Sequence, residues 1–119
     1  MIKELSQSSG SVVGYKVSGT ITKEDYETFV PQVQALVEQE GSINMLLDLE
    51  EFEWEKVSAW GADMKFGHDY RDKIAKIAIV GDKKWEKWLT KLVDPFYASQ
   101  AKYFHTTEMD AAWDWLREA

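Results

Sequence analysis

A chain of 119 residues is one domain's worth, and a composition that is 45% hydrophobic and 13% aromatic excludes disorder. Cysteine is absent, which removes disulfides, thiolate metal sites and cysteine nucleophiles together. The formal net charge of −7, from 21 acidic and 14 basic residues, argues against nucleic acid as a partner, because phosphate is neutralised by Lys and Arg. The longest apolar runs, such as Ile77–Val80, are too short to span a bilayer. Met1–Ser11 lacks the basic start and apolar core of a signal peptide. The expectation is a single cytoplasmic domain over residues 1–119.

Residues 1–7 and 12–18 read as two strands joined by the turn Ser8-Ser9-Gly10-Ser11, with Gly19 ending the hairpin. Thr22 is placed to cap a helix whose first turn carries Glu24 and Asp25. Tyr26, Phe29, Val30, Val33, Leu36 and Val37 then recur at helical spacing, and Gly41 supplies the stop. Pro31 lies inside that pattern and should kink the helix or divide it in two. The run Ile43–Leu49 is almost continuously apolar and suits a central strand covered on both faces.

Residues 52–70, FEWEKVSAWGADMKFGHDY, are helix-like, and Ile74–Val80 is a further buried strand closed by Gly81-Asp82. Asp82 can cap a helix over about Lys83–Val93, stopped by Asp94-Pro95. Ala101–Phe104 reads as a short strand. Thr107 with Asp110 imitates a capping box for a last helix carrying Met109, Ala112, Trp113 and Leu116. The order ββαβαβαβα predicts an α/β domain with a mixed, mostly parallel five-stranded sheet and about four helices.

That order, together with LLDLEEFEW, IAKIAIVGDKKWEKWL, DPF, KYF and AAWDWL, resembles the SpoIIAA-like family related to STAS domains over nearly the whole chain. The resemblance implies a small α/β domain. STAS relatives act as anti-sigma-factor antagonists and regulatory modules, and the similar CRAL-TRIO domains carry apolar lipids; neither role passes across on fold alone. In phosphorylatable STAS proteins a strand leads into Asp-Ser-Ser-Gly-Leu-Gly at a helix start, and the second Ser accepts phosphate. Lys56-Val57-Ser58-Ala59-Trp60-Gly61 occupies the corresponding place. Ser58 and Gly61 match, whereas Lys56, Val57, Ala59 and Trp60 depart from the pattern. Ser58 is thus either a plain N-cap or a phosphosite at a helix N-terminus.

At 100° per residue, Val57, Trp60, Gly61, Met64 and His68 share one side of that helix, and Ala59, Phe66 and Tyr70 fall nearly opposite. One apolar face covers the sheet. The other must meet a further helix, a second subunit or a bound apolar molecule. Ala59, Phe66 and Tyr70 form the candidate self-association face, and Trp60, Met64, Phe66, His68 and Trp85 the candidate pocket for an apolar ligand such as a lipid. The helix Lys83–Val93 sets Trp85, Trp88, Leu89 and Leu92 against a row of lysines, which suits docking on a sheet.

Asp48, Glu50, Glu51, Glu53 and Glu55 crowd one stretch, but without calcium-loop spacing or its glycine, and strand alternation would split them between faces. They read as a solvated strand exit. His68 and His105 are the two histidines, and no spacing suggests a triad, a zinc site or a resident cofactor. The expected site for any binding is the carboxyl edge of the strands, where Leu47–Glu50, Gly81-Asp82 and the start of the 57–70 helix should gather. The expectation is a non-enzymatic STAS-like module that binds a protein partner or itself, with carriage of a small apolar ligand as the alternative.

Overall fold

The computed structural model describes residues 1–55, 65, 69, 72–81 and 100–118. Its strands are β1 (Ile2–Glu4), β2 (Val12–Val17), β3 (Gly19–Ile21), β4 (Ile43–Asp48), β5 (Phe52–Glu55), β6 (Ile74–Gly81) and β7 (Gln100–His105). Helix α1 spans Lys23–Glu40; a 3-10 turn at Thr106–Glu108 leads into helix α2, Met109–Arg117. Five strands form one sheet in the order β1-β2-β4-β6-β7. β1 runs antiparallel to β2, and the other pairs are parallel. The mixed, mostly parallel five-stranded sheet read from the sequence is therefore present.

The first strand is shorter than residues 1–7. Leu5 N–H still donates to Gly14 O at 2.7 Å, but Ser8 N–H then turns back to Leu5 O, and the Ser8 hydroxyl accepts from Gly14 N–H at 2.9 Å. A side chain has taken over the next rung of the ladder. Gly19 does not simply end the hairpin. Its φ of 66° lies in the left-handed region that favours glycine, and it turns the chain into β3. There β3 pairs in parallel with β5 as a separate two-stranded sheet.

Thr22 caps α1 as expected, and Asp25 completes the reciprocal pair: Asp25 N–H donates to Thr22 Oγ1 at 3.4 Å, Thr22 N–H to Asp25 Oδ2 at 2.8 Å. Gly41, at φ 86°, closes the other end with its N–H on Val37 O. Pro31 does not divide the helix, which is one element from Lys23 to Glu40. Pro31 and Glu27, the residue whose carbonyl loses its partner, are both exposed, so water can satisfy that carbonyl. The start of the last helix is also a correction. Thr107 and Asp110 do not form the box; His105 and Glu108 do, two residues earlier.

The described residues hold two α-helices rather than about four. The other two were expected within the helix-like stretch 52–70 and over 83–93. Phe52–Glu55, at the head of the first, is the strand β5 instead, paired in parallel with β3, and the remainder lies outside the described residues except for Lys65 and Asp69. Those two are helical and exposed, with ammonium and carboxylate 3.4 Å apart across one turn.

Side chains alternate across the strands and so build two cores. Val13, Tyr15 and Val17 of β2 with Met45 of β4 and Ile77 and Ile79 of β6 pack with Phe29 and Val33 of α1. The Tyr15 and Phe29 rings meet edge to face, with centroids 4.8 Å apart. On the opposite face, Val12, Leu46, Ala78, Val80 and Phe104 pack with Ala112, Trp113 and Leu116 of α2. Each fully buried large aliphatic or aromatic side chain contributes about 1.5–3 kcal/mol. β4 is central and covered on both faces, as its apolar run implies. On the α2 face of β4, Asn44 donates from Nδ2 to Leu116 O at 2.7 Å. Lys76 Nζ likewise donates to Trp115 O at 3.0 Å. Two sheet side chains thus close carbonyls at the C-terminal end of α2.

Candidate functional site at the carboxyl edge of the sheet

Because β2, β4, β6 and β7 run parallel, their last residues meet at one edge. The register sets Lys16 beside Asp48, Asp48 beside Val80, and Gly81 beside His105. The β4–β6 pairing runs one residue further, Leu49 N–H donating to Val80 O at 2.8 Å. Leu47–Glu50 and Gly81 therefore gather as the strand order implies. Asp82 and the start of the 57–70 helix lie outside the described residues.

The turn leaving β4 is built by Asp48. The residue is 6% exposed, and its Oδ1 accepts from Glu50 N–H at 3.1 Å, the local bond by which Asp organises a turn. Phe52 N–H then returns to Leu49 O at 3.2 Å, and Glu51 O accepts from Gly19 N–H at 2.9 Å. These bonds lock the turn to the small β3–β5 sheet. The solvated strand exit read from the sequence is right for Glu50, Glu51 and Glu53, which are exposed. It is wrong for Asp48, which spends its carboxyl on the turn's own backbone.

Lys16 reaches across from β2 to Glu51, Nζ to Oε2 2.8 Å. The hydrogen bond and charge of Glu51 raise the Lys16 ammonium above its ordinary range, with Asp48 and Glu50 adding to the effect. The pair is exposed, so it positions the turn more than it stabilises the fold. On the other side of the edge, the Tyr103 hydroxyl donates to Gly81 O. His105 Nδ1 accepts from Thr107 N–H at 3.3 Å. The edge thus presents a cross-strand ion pair, exposed carboxylates, a phenol and an imidazole. Among the described residues no His, Asp and Glu group is arranged to hold a metal ion, and no helix is long and apolar enough to cross a membrane.

Ser58, Ala59, Trp60, Met64, Phe66, His68, Tyr70 and Trp85, the residues singled out in the sequence, all lie outside the described residues. Lys16, Tyr103 and His105 reach the edge without having been singled out. The signal for them was the register of parallel strands, since each stands at or near the end of its strand.

The family model described as SpoIIAA-like matches residues 12–117. Among curated proteins none matches the chain. Solved structures share its fold, two of them as follows. An uncharacterised protein of the DUF3478 family from Shewanella loihica PV-4, with a SpoIIAA-like fold, is 24% identical; the match covers 98% of this chain and 92% of that one at a TM-score of 0.80. The phosphorylated form of the Bacillus cell-fate determinant SpoIIAA is 10% identical, covering 98% of this chain and all of that one at a TM-score of 0.59. Both likenesses establish the fold alone. The strand order, the helices on opposite faces and a family match from β2 to the end of α2 lead to one conclusion: the chain belongs to the SpoIIAA-like family.

Proposed function

We propose that the chain is a cytoplasmic, non-enzymatic interaction module of STAS type, which docks a protein partner or a second copy of itself at the carboxyl edge of its sheet. The observation that carries this reading is the convergence of Lys16, Asp48, Gly81 and His105 at one edge by strand register. The sequence places Ser58 and the two-faced helix directly after the β5 strand that adjoins this edge. Family membership supports a regulatory role, and fold by itself does not name the partner. On this reading Ala59, Phe66 and Tyr70 form the self-association face. Ser58, at the phosphoacceptor position of the STAS pattern, is the residue through which phosphate would control docking.

Light scattering across micromolar concentrations tests the self-association arm. A dimer that Tyr70→Asp dissociates supports it, and a strict monomer at every concentration removes it. Incubation with a serine kinase followed by mass mapping tests the switch, and phosphorylation that survives Ser58→Ala removes Ser58. The second reading, an apolar ligand held among Trp60, Met64, Phe66, His68 and Trp85, is favoured by the sequence, whose helical spacing over 57–70 sets aromatic residues on both sides. Native mass spectrometry of protein purified from cells tests it. A bound lipid supports that reading; its absence, with Trp emission unmoved by added lipid, removes it.

A further inference from the structure

Two helical starts in the described chain are closed by reciprocal capping pairs, and their acceptors differ in one chemical respect. At α1 the acceptor is the Thr22 hydroxyl. At the 3-10 turn before α2 it is the imidazole of His105. Nδ1 accepts from Thr107 N–H at 3.3 Å and lies 3.1 Å from Thr107 Oγ1, while Glu108 Oε1 accepts from His105 N–H at 3.0 Å. A ring nitrogen accepts only while it carries no proton. The cap therefore requires the neutral imidazole with its proton on Nε2, and the Thr107 hydroxyl donating to the same bare nitrogen.

We infer that His105 makes the joint between β7 and α2 proton-sensitive. Uptake of one proton from solvent at Nδ1 turns that atom from acceptor to donor. The Thr107 amide then loses its partner, and Thr107 Oγ1 reverses to accept from the ring.

Of the described elements around the joint, the 3-10 turn contributes Thr107 and the Glu108 carboxylate, and α2 contributes Asp110 in its first turn. β7 contributes the Tyr103 hydroxyl, held on Gly81 O. β6 contributes Gly81, the register partner of His105, which carries no charge. Glu108 keeps its hold on the His105 backbone in either state of the ring, so the change is confined to the Thr107 end. Asn44 and Lys76 continue to hold the far end of α2. The joint flexes while the helix stays docked. This inference does not depend on the partner-binding reading, although His105 stands at the same edge.

Heteronuclear NMR of the full chain between pH 8 and pH 5 tests it. Long-range proton–nitrogen spectra are expected to show Nδ1 bare at pH 8, and the Thr107 amide proton is expected to move upfield with the same midpoint as the His105 ring. In His105→Asn, whose side-chain oxygen accepts without titrating, the Thr107 amide should not move over that range. A neutral ring protonated on Nδ1 would overturn the inference, as would a Thr107 amide that ignores the ring's titration or still titrates in His105→Asn. The ring and amide signals of the unsubstituted chain decide the matter even if the variant fails to fold.

Discussion

The two faces of the sheet are held by different means. On the α1 face an 18-residue helix lies over a continuous apolar surface, and its aromatic residues meet edge to face. On the α2 face the helix has nine residues, a length that is marginal by itself in water, and it is held at specific points. Trp113 sits over Gly14, where an added Cβ would overlap Cη2 and come within 2.7 Å of Cζ2. Asn44 and Lys76 bind its last carbonyls. Arg117 donates to Gln7 O at 2.7 Å and lies over the Trp113 ring, 5.0 Å from its centroid. A broad contact can lose area at any one place, whereas a keyed contact fails at its key.

This contrast yields four measurable consequences. The largest is at Phe29, where Phe29→Ala should cost about 3–5 kcal/mol by urea denaturation, because two ring contacts and a buried volume go together. Gly14→Ala should cost about 1–3 kcal/mol by overpacking, although it adds only one methyl group. It should also alter Trp emission as Trp113 is displaced. A neutral Gly14→Ala would mean that α2 slides over the sheet as freely as a broad contact allows. Asn44→Ala, which leaves Leu116 O without its donor, should cost about 1–3 kcal/mol and loosen the end of α2 first in amide exchange.

The smallest effect at neutral pH belongs to Tyr15. Its phenol is pushed up to about 12 by burial, with the charge of Glu4 adding to the shift. The unfolded chain releases that proton near pH ~10. The stabilisation is therefore complete below pH ~10 and lost as pH rises from there towards 12. Tyr15→Phe should match the parent near neutrality and show a flatter loss of stability over the alkaline range. A parent and variant with the same alkaline slope would place the phenol in water.

Much of the architecture was legible because it rests on local pattern. The apolar runs of β4 and β6, the Thr22 and Gly41 punctuation, and Ala112, Trp113 and Leu116 at helical spacing all point to what they build. The β3–β5 sheet was not legible. Its pairing is parallel and non-local, and Phe52–Glu55 alternates apolar and acidic residues as a surface turn also does. His105 was overlooked as a cap because the Thr107–Asp110 spacing imitates the commoner signature. Asp48 looked like one more surface acid until the turn that buries it was in place. At the carboxyl edge, strand order was enough to bring Leu47–Glu50 and Gly81 together. Lys16, Tyr103 and His105 needed the register as well.

Asn44 and the carbonyl it satisfies are 72 positions apart, and Arg117 and Gln7 are separated by 110. Because α2 follows in chain order everything that it covers, a ribosome releases Val12, Leu46, Ala78 and Val80 long before the helix that packs on them. Until α2 emerges, the patch it will cover is uncovered apolar surface on a nascent chain, the kind of surface that recruits chaperones or a neighbouring copy. The vulnerable period for this domain is therefore set by translation, and a message stalled short of Trp113 would leave a product more prone to aggregate than one carrying a fault in α1.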